Sequence, residues 1–171
     1  MTRIGLLSDT HNFLDETIFE HFRYCDEIWH AGDFGSLEIA KKLVRDSSGK
    51  GSKASLLRGV YGNIDGPDIR SVYPETLRWK CEEVDVMMKH IGGYPPNYNA
   101  SVKNELRLHR PGLFICGHSH ILKIMFDNTL QCLHINPGAA GKQGWQKVRT
   151  IVRFVIVDKE IKDCEVIELL P

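Results

Sequence analysis

The sequence predicts an α/β layered domain. Apolar runs too short for helices end in polar loops, and apolar residues at helical spacing follow, so strand, loop, helix and strand succeed one another. The polar loops after these runs also repeat a few side-chain types, chiefly Asp, Asn and His. Open α/β sheets place their sites in such loops. With 171 residues, 42% apolar and 26% charged, the chain can bury one core, and a single domain over residues 1–171 is expected. Its 22 basic and 22 acidic side chains cancel without blocks of like charge, so a sequence-independent grip on nucleic acid or an anionic membrane has no electrostatic footprint. The opening MTRIGLLSDT is too polar for a signal peptide, and Arg153 interrupts the most apolar later run, so no membrane span is expected. Five scattered cysteines without a C-x-x-C pair read as the reduced thiols of a cytoplasmic protein.

Residues 4–7 read as a buried strand that stops at Ser8, Asp9 and Thr10. Asn12 is placed to cap a helix with Asp15 and Glu16 in its first turn and Leu14, Ile18 and Phe22 along one face. Residues 27–30 read as a strand and 31–35 as its loop, and Ser36 caps a helix ending in Lys41, Lys42 and Arg45. The stretch DSSGKGSKA over 46–54 reads as a mobile surface connection. It is not a phosphate-cradling loop, because Val44 and Gly51 stand where that motif needs Gly and Ser or Thr. A strand over 55–60 leads into YGNIDG, and strands over 76–81 and 85–90 flank a turn at Glu82 and Glu83. A helix over 99–109 is stopped by Pro111, and 113–116 is a short buried strand. Residues 123–126 and 130–135 form a hairpin around Asp127, Asn128 and Thr129, and strands over 151–158 and 164–169 follow.

The loops beyond the strands hold the chemistry. They carry Asp9 and His11, Asp33, Asn63, His90, and His118 with His120, all of metal-ligand type. Intervals of 24, 30, 27 and 28 residues separate Asp9, Asp33, Asn63, His90 and His118, near the length of one supersecondary unit, so each loop returns to the same rim. Gly32, Gly62 and Gly117 precede Asp33, Asn63 and His118, where a crowded cluster needs close backbone approach. Seven donors exceed what one zinc ion takes and suit two divalent ions sharing a carboxylate and a water. Two such ions outweigh Asp9, Asp33 and a bridging hydroxide, so the cluster attracts an anion, for which phosphate is the obvious choice.

Together S-D-T-H-N at 8–12, G-D at 32–33, G-N-I-D at 62–65, H-I-G at 90–92, G-H-S-H at 117–120 and N-P-G at 136–138 resemble the ordered signature of the calcineurin-like metallophosphoesterases. The size and spacing are similar to those of the small YfcE-type phosphodiesterases. The resemblance implies a four-layer α/β/β/α sandwich with mixed sheets and a binuclear site, most often manganese, with zinc, iron or nickel as alternatives. It implies that Asp9, His11 and His120 hold one ion, that Asn63, His90 and His118 hold the other, and that Asp33 bridges. Asp33 and Asn63 are then the catalytic pair in hydrolysis of a small or nucleotide-derived phosphate diester by a metal-bridging hydroxide. Larger members carry a histidine after the motif asparagine as proton donor; Ile64 stands there and cannot donate a proton. The YfcE-type group also lacks that histidine, and the likeness to it implies a preference for diesters with good leaving groups and weak activity on monoesters.

Other readings compete. His21 and His109 read as surface or helix-end residues, and His30 and His134 as packed or hydrogen-bonded. A structural zinc on Cys116, His118, His120, Cys132 and His134 is disfavoured, since two-residue spacings run along extended chain. Asn136, Pro137 and Gly138 read as a turn near the site, while Tyr94, Pro95, Pro96 and Trp145 are candidates for a substrate-facing wall. Arg58 and Arg70 suit phosphate only by chemical type. Trp29, Trp79 and Trp145 suit either core or interface, which leaves the oligomeric state open. As functions, a catalytically weak metal-binding scaffold and a phosphomonoesterase stand as alternatives; a nuclease is disfavoured by the neutral charge.

Overall fold

The computed structural model describes residues 1–46 and 56–171, so the connection over 47–54 and the strand residue expected at 55 lie outside the described residues. In chain order the elements are β1 (Thr2–Leu7), α1 (Thr17–His21), β2 (Glu27–His30), α2 (Leu37–Asp46), β3 (Leu56–Gly59), α3 (Pro67–Arg70), β4 (Thr76–Cys81) and β5 (Val84–Lys89). There follow β6 (Gly93–Tyr94), β7 (Asn97–Tyr98), α4 (Ala100–His109), β8 (Leu113–Ile115), β9 (Leu122–Asp127), β10 (Cys132–Pro137), β11 (Arg149–Val157) and β12 (Glu160–Leu169).

Two mixed five-stranded sheets organise the molecule, one in the order β12-β11-β1-β2-β3 and the other β4-β5-β8-β10-β9. Within the first, β1, β2 and β3 are parallel neighbours, and within the second β5, β8 and β10 are. Their carboxyl-end loops therefore leave on common rims.

Alternation along the strands divides the apolar side chains into layers. Ile4, Leu6, Trp29, Val152 and Phe154 of one sheet meet Val86, Met88, Leu113, Ile115 and Ile135 of the other between the sheets. Leu7, Ile28 and Ile151 face outward and pack with Ile18 and Phe22 from α1 and its end, Ile39 and Leu43 of α2, and Ile69 of α3. Met87, Phe114 and Cys132 pack on Val102 and Leu106 of α4 on the opposite outer face. Helices, sheet, sheet and helix make the four-layer α/β/β/α arrangement, and each fully buried Leu, Ile or Phe contributes about 1.5–3 kcal/mol.

Several local expectations need correction. Asn12 caps no helix: at φ 65° its N–H goes to the Phe34 carbonyl at 2.9 Å. The short helix starts five residues later, and Asp15 Oδ1 accepts from the Thr17 N–H at 3.0 Å and hydroxyl at 2.7 Å. The last strand starts at Glu160 rather than residue 164, because β11 pairs Val157 with Glu160 and Val155 with Lys162 although these outer side chains are polar. Asn136 and Pro137 finish β10 rather than forming a turn. Neither α3 nor the β6–β7 hairpin was expected, both being too short to show periodicity.

Candidate metal centre

The loops beyond β1, β2, β3, β5 and β8 bring all seven candidate residues to one rim. Five of them lie in left-handed backbone: Asp9 at φ 54°, His11 at 45°, Asp33 at 58°, His118 at 68° and His120 at 59°. That conformation costs an L-residue about 1 kcal/mol or more, and Asp, Asn and His accept it best. Backbone hydrogen bonds hold the loops there. Asp9, His11 and Asn12 donate to the carbonyls of Gly32, Asp33 and Phe34 at 3.0, 3.1 and 2.9 Å, and Ala140 and Gly141 donate to those of Ser8 and Asp9 at 2.9 and 3.0 Å. Close approach is tightest at Gly62 and Gly117: a Cβ on Gly62 would fall 1.9 Å from Asp33 Oδ1, and one on Gly117 would fall 2.1 Å from Ser8 Oγ.

Each carboxylate has one oxygen tied to the protein and one turned to the imidazoles. Asp9 Oδ2 accepts from the Ser8 hydroxyl at 2.6 Å and the His118 N–H at 3.1 Å. Its Oδ1, buried, faces imidazole nitrogens, lying 3.2 Å from His120 Nε2 and 3.8 Å from His11 Nε2, and neither it nor His11 Nε2 makes a well-aligned hydrogen bond. Asp33 Oδ1 accepts from the Ile64 N–H at 3.0 Å, while Oδ2 lies 3.5 Å from His11 Nε2 and 3.2 Å from His90 Nε2. Asp9, though fully buried, is held below the ordinary carboxylate range: burial opposes ionisation but is outweighed by His11, His120, His90 and Ser8. Burial likewise opposes ionisation of Asp33, which His90 and the Ile64 N–H overcome.

Two groups emerge, each with donor atoms within 4.8 Å of one another: Asp9, His11 and His120, and Asp33, His90 and His118. Either could hold a cation. Asn63 joins the second, its Oδ1 lying 3.1 Å from His90 Nε2 and 2.9 Å from His118 Nδ1. The ring nitrogens facing away fix the tautomers. His90 Nδ1 donates to the Ala31 carbonyl at 2.7 Å, leaving Nε2 for the site. His120 Nδ1 meets Gln146 Oε1 at 2.8 Å, and that amide is oriented by Nε2 donating to the carbonyls of Gly141 and Gln143 at 3.0 and 2.7 Å. Burial would lower the pKa of His90, but Asp33 and Asp9 raise it; hydrogen bonding to Asp9 raises that of His120; burial and the neighbouring His90 lower that of His118.

Supporting residues escaped the sequence reading as site components. Asp65 binds the loops of both Asp33 and Asn63, accepting from the N–H groups of Gly62 at 2.8 Å, Gly35 at 2.9 Å and Phe34 at 3.2 Å. Asn136 Nδ2 donates to the Gly117 carbonyl at 2.8 Å and Ser119 Oγ at 3.0 Å, steadying the G-H-S-H loop. Asp65 lies in G-N-I-D and Asn136 in N-P-G, which is the signal the sequence holds for them; Gln146 has none.

The histidines set aside lie apart from the two groups. His30 accepts from the Gly32 N–H at 3.1 Å, contacts Thr10 Oγ1 at 3.0 Å, and burial drives its pKa down to about 3. His134 is fully buried with its pKa down to about 4, and Cys116 Sγ lies 3.9 Å from its Nε2, away from the groups containing His118 and His120. Arg58 is paired with Glu27 at 2.8 Å and lies over the Trp79 ring. Arg70 lies over the Tyr61 ring and lines a cleft of about 220 Å³ shared with Asn63, His90 and Lys89. A larger groove of about 680 Å³ runs along β4, lined by Leu77, Trp79 and His109, and holds none of the seven residues.

A profile of the calcineurin-like phosphoesterase superfamily domain matches residues 2–159. No curated protein matches by sequence. Among solved structures, an archaeal phosphodiesterase superimposes with a TM-score of 0.74 at 21% identity, covering 98% of this chain and 99% of its own. Zinc-complexed Vps29 from Entamoeba histolytica gives 0.72 at 16%, covering 97% and 98%, and a protein of Thermotoga maritima gives 0.69 at 22%, covering 99% and 100%.

Proposed function

The chain belongs to the calcineurin-like phosphoesterase superfamily, and on that footing we propose that it is a metal-dependent phosphodiesterase acting on a small or nucleotide-derived phosphate ester. The observation that carries the proposal is the pair of acid–imidazole groups meeting at Asp33, with Asp9 Oδ1 and His11 Nε2 buried, facing imidazole and carboxylate atoms of the site and lacking a well-aligned hydrogen bond. Buried polar atoms of this kind are costly unless another ligand satisfies them. The donors fit divalent cations of the manganese, zinc, iron or nickel type. Asp9, His11 and His120 would hold one; Asn63, His90 and His118 would hold the other; Asp33 would bridge.

When bound, two such cations supply Lewis-acid chemistry, acidifying a coordinated water and neutralising charge on the phosphoryl oxygens. The chain's own groups do the rest. Asn63, with Oδ1 turned to His90 and His118, keeps its amide N–H groups for a phosphoryl oxygen. The Ala31 carbonyl and Gln146 hold the His90 and His120 rings with one nitrogen toward the site, so no rotation is needed during reaction. Ile64, half exposed beside Asn63, cannot protonate a leaving group. Esters with acidic leaving alcohols are therefore preferred, and the likeness to a small archaeal phosphodiesterase favours diesters over monoesters. The five cysteines, four buried and Cys164 exposed, are reduced thiols that suit a reducing compartment such as the cytoplasm.

Parallel assays of the manganese-loaded protein on a chromogenic diester, the matching monoester and single-stranded DNA test this. We expect turnover chiefly of the diester, reduced at least about a hundredfold in Asp33→Asn, together with loss of both ions. Two ions bound without diester turnover would instead make the chain a metal-binding scaffold, and full activity in Asp33→Asn would refute the bridging role.

A further inference from the structure

The loops that carry the candidate ligands also expose large apolar side chains. Ile64 follows Asn63, Ile91 follows His90 and Ile121 follows His120, and each is exposed, as is Tyr94. Trp145 goes furthest, with its whole surface in solvent, whereas Trp29 is fully buried and Trp79 packs edge-on against it at 4.8 Å. Trp145 is nevertheless held beside the site. On one side Gly144 lies so close to His120 that a Cβ there would fall 2.2 Å from Nδ1. On the other, Gln146 is bonded to the same nitrogen and anchored to the carbonyls of Gly141 and Gln143. An exposed indole on a fastened loop, flanked by two residues that lie against His120 of the candidate metal centre, is suited to a phosphate ester that also carries a flat apolar surface.

We infer that the substrate carries a planar aromatic group of the nucleobase or aryl class, and that Trp145 is the surface on which it stacks while the phosphoryl group sits at the paired groups. This rests on the phosphodiesterase reading and narrows its substrate class. The location favours a small ligand over a protein partner: both neighbours of Trp145 touch His120, and the apolar rim is distributed over the very loops that surround the phosphoryl seat.

Fluorescence titration of the manganese-loaded protein with adenosine 5′-monophosphate and with methyl phosphate separates the claims, since Trp145 is the fully exposed tryptophan and Trp145→Ala removes its signal from that of Trp79. The nucleotide is expected to quench emission and to bind about tenfold tighter than methyl phosphate. Trp145→Ala should abolish that preference with methyl phosphate affinity unchanged, and Trp145→Phe should restore most of it. Equal affinities in the wild type, or a preference that persists in Trp145→Ala, would overturn the stacking surface alone. Failure of both phosphates to bind a protein that still turns over the chromogenic diester would overturn the stacking surface alone; the same failure with no diester turnover would overturn the phosphodiesterase reading with it. Shielding of Trp145 from iodide as protein concentration rises, without a nucleotide effect, would assign the indole to contact with a second copy and contradict the inference.

Discussion

Asp9 and Asp33 show how much of a site one residue's surroundings decide. Each offers a single oxygen to the imidazoles because a neighbouring hydroxyl or backbone N–H occupies the other. Residue types were legible in the sequence, since Asp, Asn and His recur after apolar runs. Their left-handed backbone was not, because it is imposed by hydrogen bonds between loops more than 20 residues apart, such as His11 N–H to the Asp33 carbonyl. His30 and His134 illustrate the opposite use of imidazole. Burial holds their pKa values near about 3 and about 4, below the ordinary 6.5, so the unfolded chain binds more protons than the folded one as pH falls below 6.5. Their contribution is intact above pH 6.5 and is lost on acidification, by about 1 kcal/mol per pH unit for each histidine until the folded values are reached. Urea unfolding of the metal-free protein at pH 7.5 and pH 5 should show this loss, and His134→Leu should lose less stability between those conditions than the wild type. An identical pH dependence in the variant would show that His134 is not a buried neutral group.

The loops after β1, β2, β3, β5 and β8 act as one element made of five pieces. Their strands were legible from short apolar runs, and their glycines from position. The anchor residues were harder to see: Asp65 and Asn136 work by accepting from or donating to backbone groups on other loops, which no local pattern encodes. Short elements such as α3 and β6–β7 were missed for the same reason, being stabilised by neighbours rather than by periodicity. Gly62→Ala tests the crowding directly. The added methyl would meet both Oδ1 of Asp33 at 1.9 Å and its backbone nitrogen at 2.3 Å, so the Asn63 loop must move away from Asp33. Manganese affinity measured by calorimetric titration should fall about tenfold to a hundredfold with the far-ultraviolet circular dichroism retained. Gly66→Ala, where the nearest atom is Asp68 Oδ1 at 3.3 Å, serves as the control and should bind as the wild type does.

At the scale of the molecule, two mixed sheets packed through Trp29, Met88 and Phe154 aim their parallel strands toward one rim, and this is what gathers residues spread from position 9 to position 120. The layered class was legible because strand and helix patterns alternate, and the motif order added the four layers. The long β11–β12 hairpin was only half legible, because the polar outer side chains of residues 160–163 conceal a strand that pairing with β11 creates. A ligand that binds only the folded rim stabilises the whole chain in proportion to the logarithm of its concentration, so manganese should raise the unfolding midpoint and chelation reverse it. Anomalous diffraction at the manganese edge, from crystals grown with excess manganese and phosphate, puts the arrangement to the test. Two peaks about 3.5–4 Å apart are expected, one against Asp9, His11 and His120, the other against Asn63, His90 and His118, with Asp33 between them. A single peak, or manganese bound away from these residues, would contradict the paired centre.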